Sequence, residues 1–164
     1  QVVSPEDRVL FSNYSIIPSV QPTHATSDMN WADQRLCEER MEGAYAYKSL
    51  LACLNFLPLG TDFPIEDISP IQTYHAAVFR TDANRKPLGG FQTEEALSPK
   101  EALLGMTLWA ARASFLEDRI GSLETGKVAD FVVLDKDLLT HSYPYAIKVQ
   151  ETWASGIKVY TAQW

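Results

Sequence analysis

A change of hydrophobic period about three quarters of the way along the chain constrains the fold more than any other feature. Up to about residue 116, stretches with apolar residues three and four apart alternate with short β-rich runs bounded by proline; after about residue 121 the apolar runs are β-rich and closely spaced. Helix–strand alternation is the repeat of a parallel sheet covered by helices, whereas close-set strands around tight turns make an antiparallel sheet. The expected architecture is therefore α/β over residues 1 to 118 and a β-rich unit over residues 119 to 164, with the boundary between Leu116 and Gly121.

Three helix starts share one device. Ser4-Pro5, Ser69-Pro70 and Ser98-Pro99 each set a capping hydroxyl before a proline at the first helical position, and Glu101 completes a capping box with Ser98. The spacing predicts helices over about residues 5–13, 37–53, 69–79 and 98–114. Short strands are expected in Ser15–Pro22 and Asn55–Gly60, then at 129–135, 149–153 and 157–161, the last two around a Ser155-Gly156 turn. Gly89-Gly90 lacks the lysine-serine continuation of a phosphate loop.

Composition narrows the partners. A chain of 164 residues, 46% hydrophobic, can bury a core, and its 14 Lys and Arg against 21 Asp and Glu leave no basic face for nucleic acid. Small molecules or proteins are the expected partners. No apolar run approaches the roughly 18 residues that span a bilayer, and residues 1 to 20 lack the order of a signal peptide, so no membrane is expected. A cytoplasmic setting is slightly favoured over a periplasmic one. Cys37 and Cys53 bracket an expected helix; if continuous, its rise of about 1.5 Å per residue holds them beyond disulfide reach, as buried thiols. The sequon Asn13-Tyr14-Ser15 has no meaning without a secretory context. The opening Gln1, followed at once by a helix start, reads as a piece of a longer chain.

Three segments, Ser19-Val20-Gln21-Pro22-Thr23-His24, Arg35-Leu36 with Glu39-Arg40, and Leu59-Gly60-Thr61-Asp62-Phe63-Pro64, together resemble the closing part of a metal-dependent amidohydrolase. The branch they resemble is amidohydrolase family 3, the YtcJ-like group, similar to N-substituted formamide deformylases. The tail from Gly121 through Gly126-Lys127-Val128-Ala129-Asp130-Phe131 is similar to the segment that leads amidohydrolases back into their small β-sandwich. The resemblance implies the C-terminal part of a (β/α)8 barrel, strands 7 and 8 at residues 16–21 and 56–61 with their helices, followed by strands of the β-sandwich. A whole barrel takes about 250 residues, and the family's metal ligands stand mostly on earlier strands, so their motifs are not found here.

By spacing alone Asp62 is a turn residue or a helix cap, and His24 a surface histidine. The resemblance instead makes Asp62 the aspartate that ends the eighth strand, a metal ligand and the catalytic proton carrier. It makes His24 and Asp28 substrate contacts on the loop after the seventh strand. Arg80 matches an arginine of the branch, a further substrate contact, with a surface or domain-interface ion pair as the alternative. Trp31 and Arg35-Leu36 are expected to shape the pocket wall; His75 and His141 have no second ligand nearby and are given no metal role.

The function implied is hydrolysis of carbon–nitrogen bonds in amides, formamides or cyclic amides, by water activated by a divalent metal, zinc foremost. This stretch alone is expected to be inactive and to hold no metal firmly, and to associate either with itself or with the rest of the parent enzyme. The alternative is a non-catalytic binding or assembly module derived from the barrel end.

Overall fold

Prolines limit how far the two expected barrel strands can pair. Pro18, Pro22 and Pro58 carry no N–H, so the segments around them form only an interrupted ladder. In the computed structural model, which describes residues 1–163, that ladder is a single parallel bridge between Val20 and Leu59. Val20 N–H donates to Pro58 O at 3.1 Å, and Gly60 N–H donates to Val20 O at 3.0 Å. The expectation of two regular strands over 16–21 and 56–61 is corrected to this one bridge, while the parallel sense is as expected. Because both segments run the same way, the residues after Val20 and those after Leu59 leave at the same end.

The described residues form seven helices: α1 Arg8–Tyr14, α2 Pro22–Asp28, α3 Ala32–Met41, α4 Tyr47–Leu54, α5 Pro70–Phe79, α6 Pro99–Met106 and α7 Leu108–Ala113. A 3-10 turn, Pro5–Asp7, leads into α1. Helix α5 packs against α2 and α6, and α1 packs against α4. Their shared core contains Val20, Tyr47, Leu50, Leu57, Leu59, Tyr74 and Leu97, with Ala25, Ala77 and Ala102 buried where backbones come close.

Two expected helices are broken, each for a visible reason. The helix expected over 37–53 ends at Met41 and resumes at Tyr47, because residues 43–45 pair with the N-terminal segment instead. Val3 N–H donates to Gly43 O at 2.9 Å and Tyr45 N–H to Gln1 O at 2.7 Å, so tertiary pairing overrides the local period. A side chain on Gly43 would strike Val3 O. Cys37, at φ 61°, also breaks α3 internally, and it is exposed while Cys53 is half-buried; both are free thiols. The expectation of two buried cysteines therefore fails at Cys37. The helix expected over 98–114 breaks at Thr107 (φ −124°, ψ −95°), whose Oγ1 donates to Leu103 O at 2.7 Å, a local bond that competes with helix geometry.

Of the three serine-proline starts only Ser98 caps with its side chain: Glu101 N–H donates to Ser98 Oγ at 3.3 Å and Ser98 N–H to Glu101 Oε2 at 2.8 Å. Ser4 and Ser69 form no side-chain cap; the Asp67 carboxylate takes the Ser69 N–H at 2.8 Å.

The tail is a three-stranded antiparallel sheet, β1 Phe131–Leu134, β2 Val149–Ala154 and β3 Ile157–Thr161, in that spatial order. Ser155 (φ 52°) and Gly156 (φ 74°) make the β2–β3 turn in the left-handed conformation that two-residue hairpins require. The segment between β1 and β2 joins the tail to α5, as Tyr74 Oη donates to Leu138 O at 2.9 Å. No helix among the described residues is long and apolar enough to cross a membrane.

Gly105 shows how tightly the bridge is held from behind. Leu59 N–H donates to Gly105 O at 3.0 Å, and a Cβ there would stand 2.5 Å from Leu59 Cγ and 2.9 Å from Leu57 O. At an open helical site Gly→Ala gains up to about 1 kcal/mol; here Gly105→Ala is expected to cost about 1–3 kcal/mol through overpacking. Thermal unfolding checks the sign, and an unchanged or raised midpoint would show that α6 does not press on the bridge.

Candidate functional site

The parallel bridge places two sequence-distant residues side by side. His24 stands four residues after Val20, in the first turn of α2, and Asp62 three residues after Leu59. His24 Nε2 lies 2.9 Å from Asp62 Oδ2. Asp62 adopts φ 60°, a left-handed conformation that aspartate tolerates better than most residues, and its carbonyl accepts from Ile65 N–H at 2.8 Å and Glu66 N–H at 3.3 Å. This turn brings the chain back on itself, so that Glu66 Oε1 lies 3.2 Å from His24 Nδ1. Ser27 Oγ, one turn along α2 from His24, donates to the same Glu66 oxygen at 2.6 Å.

Both ring nitrogens of His24 thus face carboxylate oxygens. A doubly protonated ring donates to both, a singly protonated ring to one. The side chains of His24 and Glu66 are only 16% and 19% exposed, whereas that of Asp62 is 49% exposed, so Asp62 is the member that reaches solvent. Its Oδ1 has no hydrogen-bond partner among the described residues. Glu66 was not singled out by sequence reasoning; the available signal was its position four residues after a turn aspartate, close enough for a short turn to return it.

The other expected site residues are placed differently. Asp28 lies one turn beyond His24 on α2 and accepts from Tyr45 Oη at 2.8 Å; burial, and then this bond, push the Tyr45 phenol well above its usual range. Arg80 is fully buried. Its Nε donates to Phe91 O at 2.8 Å, Nη1 to Tyr45 O at 3.3 Å and Nη2 to Gln92 Oε1 at 3.0 Å. Its guanidinium also stacks over Tyr47 and Phe91 at 5.0 and 5.6 Å. No ion pair of Arg80, surface or domain-interface, is found among the described residues, nor does Arg80 make a hydrogen bond to His24 or Asp62 there. Trp31 is half-exposed beside these segments in the chain.

As a metal site the arrangement is partial. Asp62 has one free oxygen on a solvent-reaching carboxylate, which suits it to a divalent cation, but both His24 nitrogens are already turned to carboxylates. No three or more His, Cys, Asp or Glu side chains converge to hold an ion among the described residues. The residues fit a metal through one carboxylate ligand and do not close a coordination sphere, which needs three or so protein ligands.

The sequence profile of the amidohydrolase family matches residues 1–160. The chain belongs to that family. It is 34% identical over 162 residues to the protein LONG AFTER FAR-RED 3 of Arabidopsis thaliana, covering 98% of this chain and 27% of that protein. To YtcJ of Bacillus subtilis it is 29% identical over 143 residues, again across 27% of the relative. Its fold superposes on a metal-dependent hydrolase from Pyrococcus horikoshii with a TM-score of 0.78 at 34% identity, covering 88% of this chain and 29% of that one. The chain therefore spans little more than a quarter of the length of these relatives.

Within this amidohydrolase chain His75 lies in an aromatic cage on α5. It is buried, stacks on Phe79 at 5.0 Å and packs on Tyr145 at 4.6 Å. Its Nε2 meets Thr81 Oγ1 at 2.9 Å, and its Nδ1 is buried without a partner. Burial, with a smaller push from the Arg85 guanidinium, lowers its pKa to about 4. Since the unfolded side chain titrates near about 6.5, the unfolded state binds a proton that the folded state excludes. Stability contributed by neutral His75 is complete above about pH 6.5 and is lost as the pH falls towards about 4. Denaturation midpoints followed from pH 7 to pH 4 are expected to fall less steeply in His75→Phe than in the unaltered protein, and equal slopes would remove His75 as the cause.

Proposed function

We propose that the chain forms part of a metal-dependent hydrolase that cleaves carbon–nitrogen bonds other than peptide bonds, in amides, formamides or cyclic amides, with water as the nucleophile. The observation that supports it best is the His24–Asp62 contact, 2.9 Å long, at the shared end of two parallel segments, the end at which barrel enzymes carry their chemistry. In this reading residues 1–118 close the barrel and residues 119–164 contribute strands to the small β-sandwich.

A divalent ion, zinc by preference for imidazole and carboxylate donors, would supply a water acidified towards neutrality, with Asp62 as one ligand. Asp62 takes a proton from the attacking water and passes it to the leaving nitrogen, whose departure breaks the carbon–nitrogen bond. His24 holds the second oxygen of that carboxylate and faces the substrate side, and Asp28, on the same face of α2, is a second polar contact for the substrate. Arg80 serves the substrate side through Tyr45, whose backbone it holds and whose hydroxyl meets Asp28. The remaining ligands come from chain outside residues 1–164. Exposed apolar side chains on the sheet, among them Ile157, Val159 and Tyr160, fit association with the rest of the enzyme or with a second copy.

In a full-length, metal-loaded enzyme containing this chain, Asp62→Asn keeps shape while removing the proton acceptor. Its kcat is expected to fall by about 10²–10⁴-fold, the usual range for a general acid–base group, with KM little changed. Near-normal turnover would remove Asp62 from the mechanism. Elemental analysis of residues 1–164 alone after dialysis is expected to find less than stoichiometric metal.

A further inference from the structure

The contacts around His24 form a closed circuit. Helix α2 supplies His24 and Ser27, three residues apart and on one face; the turn after the bridge supplies Asp62 and Glu66, four residues apart. Asp62 holds His24 Nε2 at 2.9 Å, Glu66 holds His24 Nδ1 at 3.2 Å, and Ser27 Oγ holds Glu66 Oε1 at 2.6 Å. One hydrogen bond at Nε2 leaves an imidazole free to swing about its own bonds; the Glu66 carboxylate, 3.2 Å from Nδ1 as an ion-pair contact on the other edge of the ring, limits that swing. Glu66, a long side chain with rotamer freedom of its own, needs an anchor to do this, and the Ser27 hydroxyl is that anchor.

We propose that Glu66, braced by Ser27, is a positioning residue that holds the His24 ring on Asp62 Oδ2, so that Asp62 turns its unpartnered Oδ1 to the reaction. This deepens the hydrolase reading and rests on Asp62 being the proton carrier. Glu66 touches neither the substrate nor the reacting atoms; it acts through His24. Partners that orient a reacting or ligating group typically alter activity by about 10–100-fold when lost, and Glu66, one contact further out through His24, is expected to fall within that range.

The test uses the full-length, metal-loaded enzyme, with Asp62→Asn measured alongside. Glu66→Ala is expected to lower kcat by about 10–100-fold while KM changes little, with metal content unchanged. Glu66→Gln, whose amide oxygen can still stand against Nδ1 and accept from Ser27 Oγ, is expected to recover most of that loss. Ser27→Ala, which removes only the brace on Glu66 and leaves the backbone bonds of the turn in place, should lower kcat in the same direction even if Glu66→Ala does not fold. In ¹⁵N-labelled protein the His24 Nδ1 signal should move in Glu66→Ala and stay near its place in Glu66→Gln. If Glu66→Ala and Ser27→Ala keep full kcat while Asp62→Asn loses it, the positioning role is overturned and the hydrolase reading stands. Normal turnover by Asp62→Asn would bring down the hydrolase reading itself. Loss of metal from Glu66→Ala, or a loss in Glu66→Gln as deep as in Glu66→Ala, would also overturn the positioning role.

Discussion

Two backbone hydrogen bonds, Val20 N–H to Pro58 O and Gly60 N–H to Val20 O, are what the rest of the site depends on. They make the two segments run parallel, and parallel segments release their following residues at one end. Everything polar at the candidate site stands within a few residues of that release: His24, Ser27 and Asp28 on one side, Asp62 and Glu66 on the other. Apolar burial holds the bridge, with Val20, Leu57 and Leu59 all below a tenth exposed and Gly105 pressed against Leu59 from behind. The bridge is short because proline occupies three of the positions that would have donated to a longer ladder, so packing rather than hydrogen-bond count has to hold the register.

Arg80 organises the opposite flank by other means. A buried guanidinium without a carboxylate partner is costly unless its donors are met. Here backbone carbonyls of Tyr45 and Phe91 and the Gln92 amide meet three of them, and two aromatic faces cover the rest of the group. Burial lowers the Arg80 pKa, but guanidinium remains charged in proteins. The consequence reaches the site indirectly. Arg80 fixes the backbone of Tyr45, itself at φ 53°, and the Tyr45 hydroxyl then fixes Asp28. Arg80 thus meets Asp28, the other residue expected at the substrate side, only through Tyr45.

How legible this was from sequence depended on whether the deciding interaction was local. The Ser98–Glu101 capping box, helix α5 and the Ser155-Gly156 hairpin are written in neighbouring residues, and each is found where the pattern placed it. The long helix over 37–53 was misread because its interruption comes from Gln1 and Val3, forty residues away, whose pairing with 43–45 leaves no periodic trace. Cys37 is exposed and breaks α3 from within at φ 61°, a second interruption that the periodic pattern does not show. The family resemblance supplied what periodicity could not, singling out Asp62 and His24 although 38 residues separate them. It offered Arg80 as a substrate contact, although Arg80 is fully buried with its donors on Tyr45, Phe91 and Gln92, and it passed over Glu66, which a left-handed Asp62 brings back beside His24.

The division of labour between apolar and polar contacts explains why the site can be both precise and open. Core packing decides where the two chain ends emerge, but it acts on backbone and cannot choose which oxygen of a half-exposed carboxylate faces solvent. That choice falls to hydrogen bonds made at the rim, where His24 and Glu66 are shielded enough to be stiff while Asp62 remains wet. A carboxylate held at one oxygen keeps every acceptor site of the other open, whereas one held at both has fewer to offer and one held at neither would rotate freely. In that reading the Ser27–Glu66–His24 chain holds Asp62 in orientation while its Oδ1 stays open, a geometry that suits a proton carrier or a metal ligand.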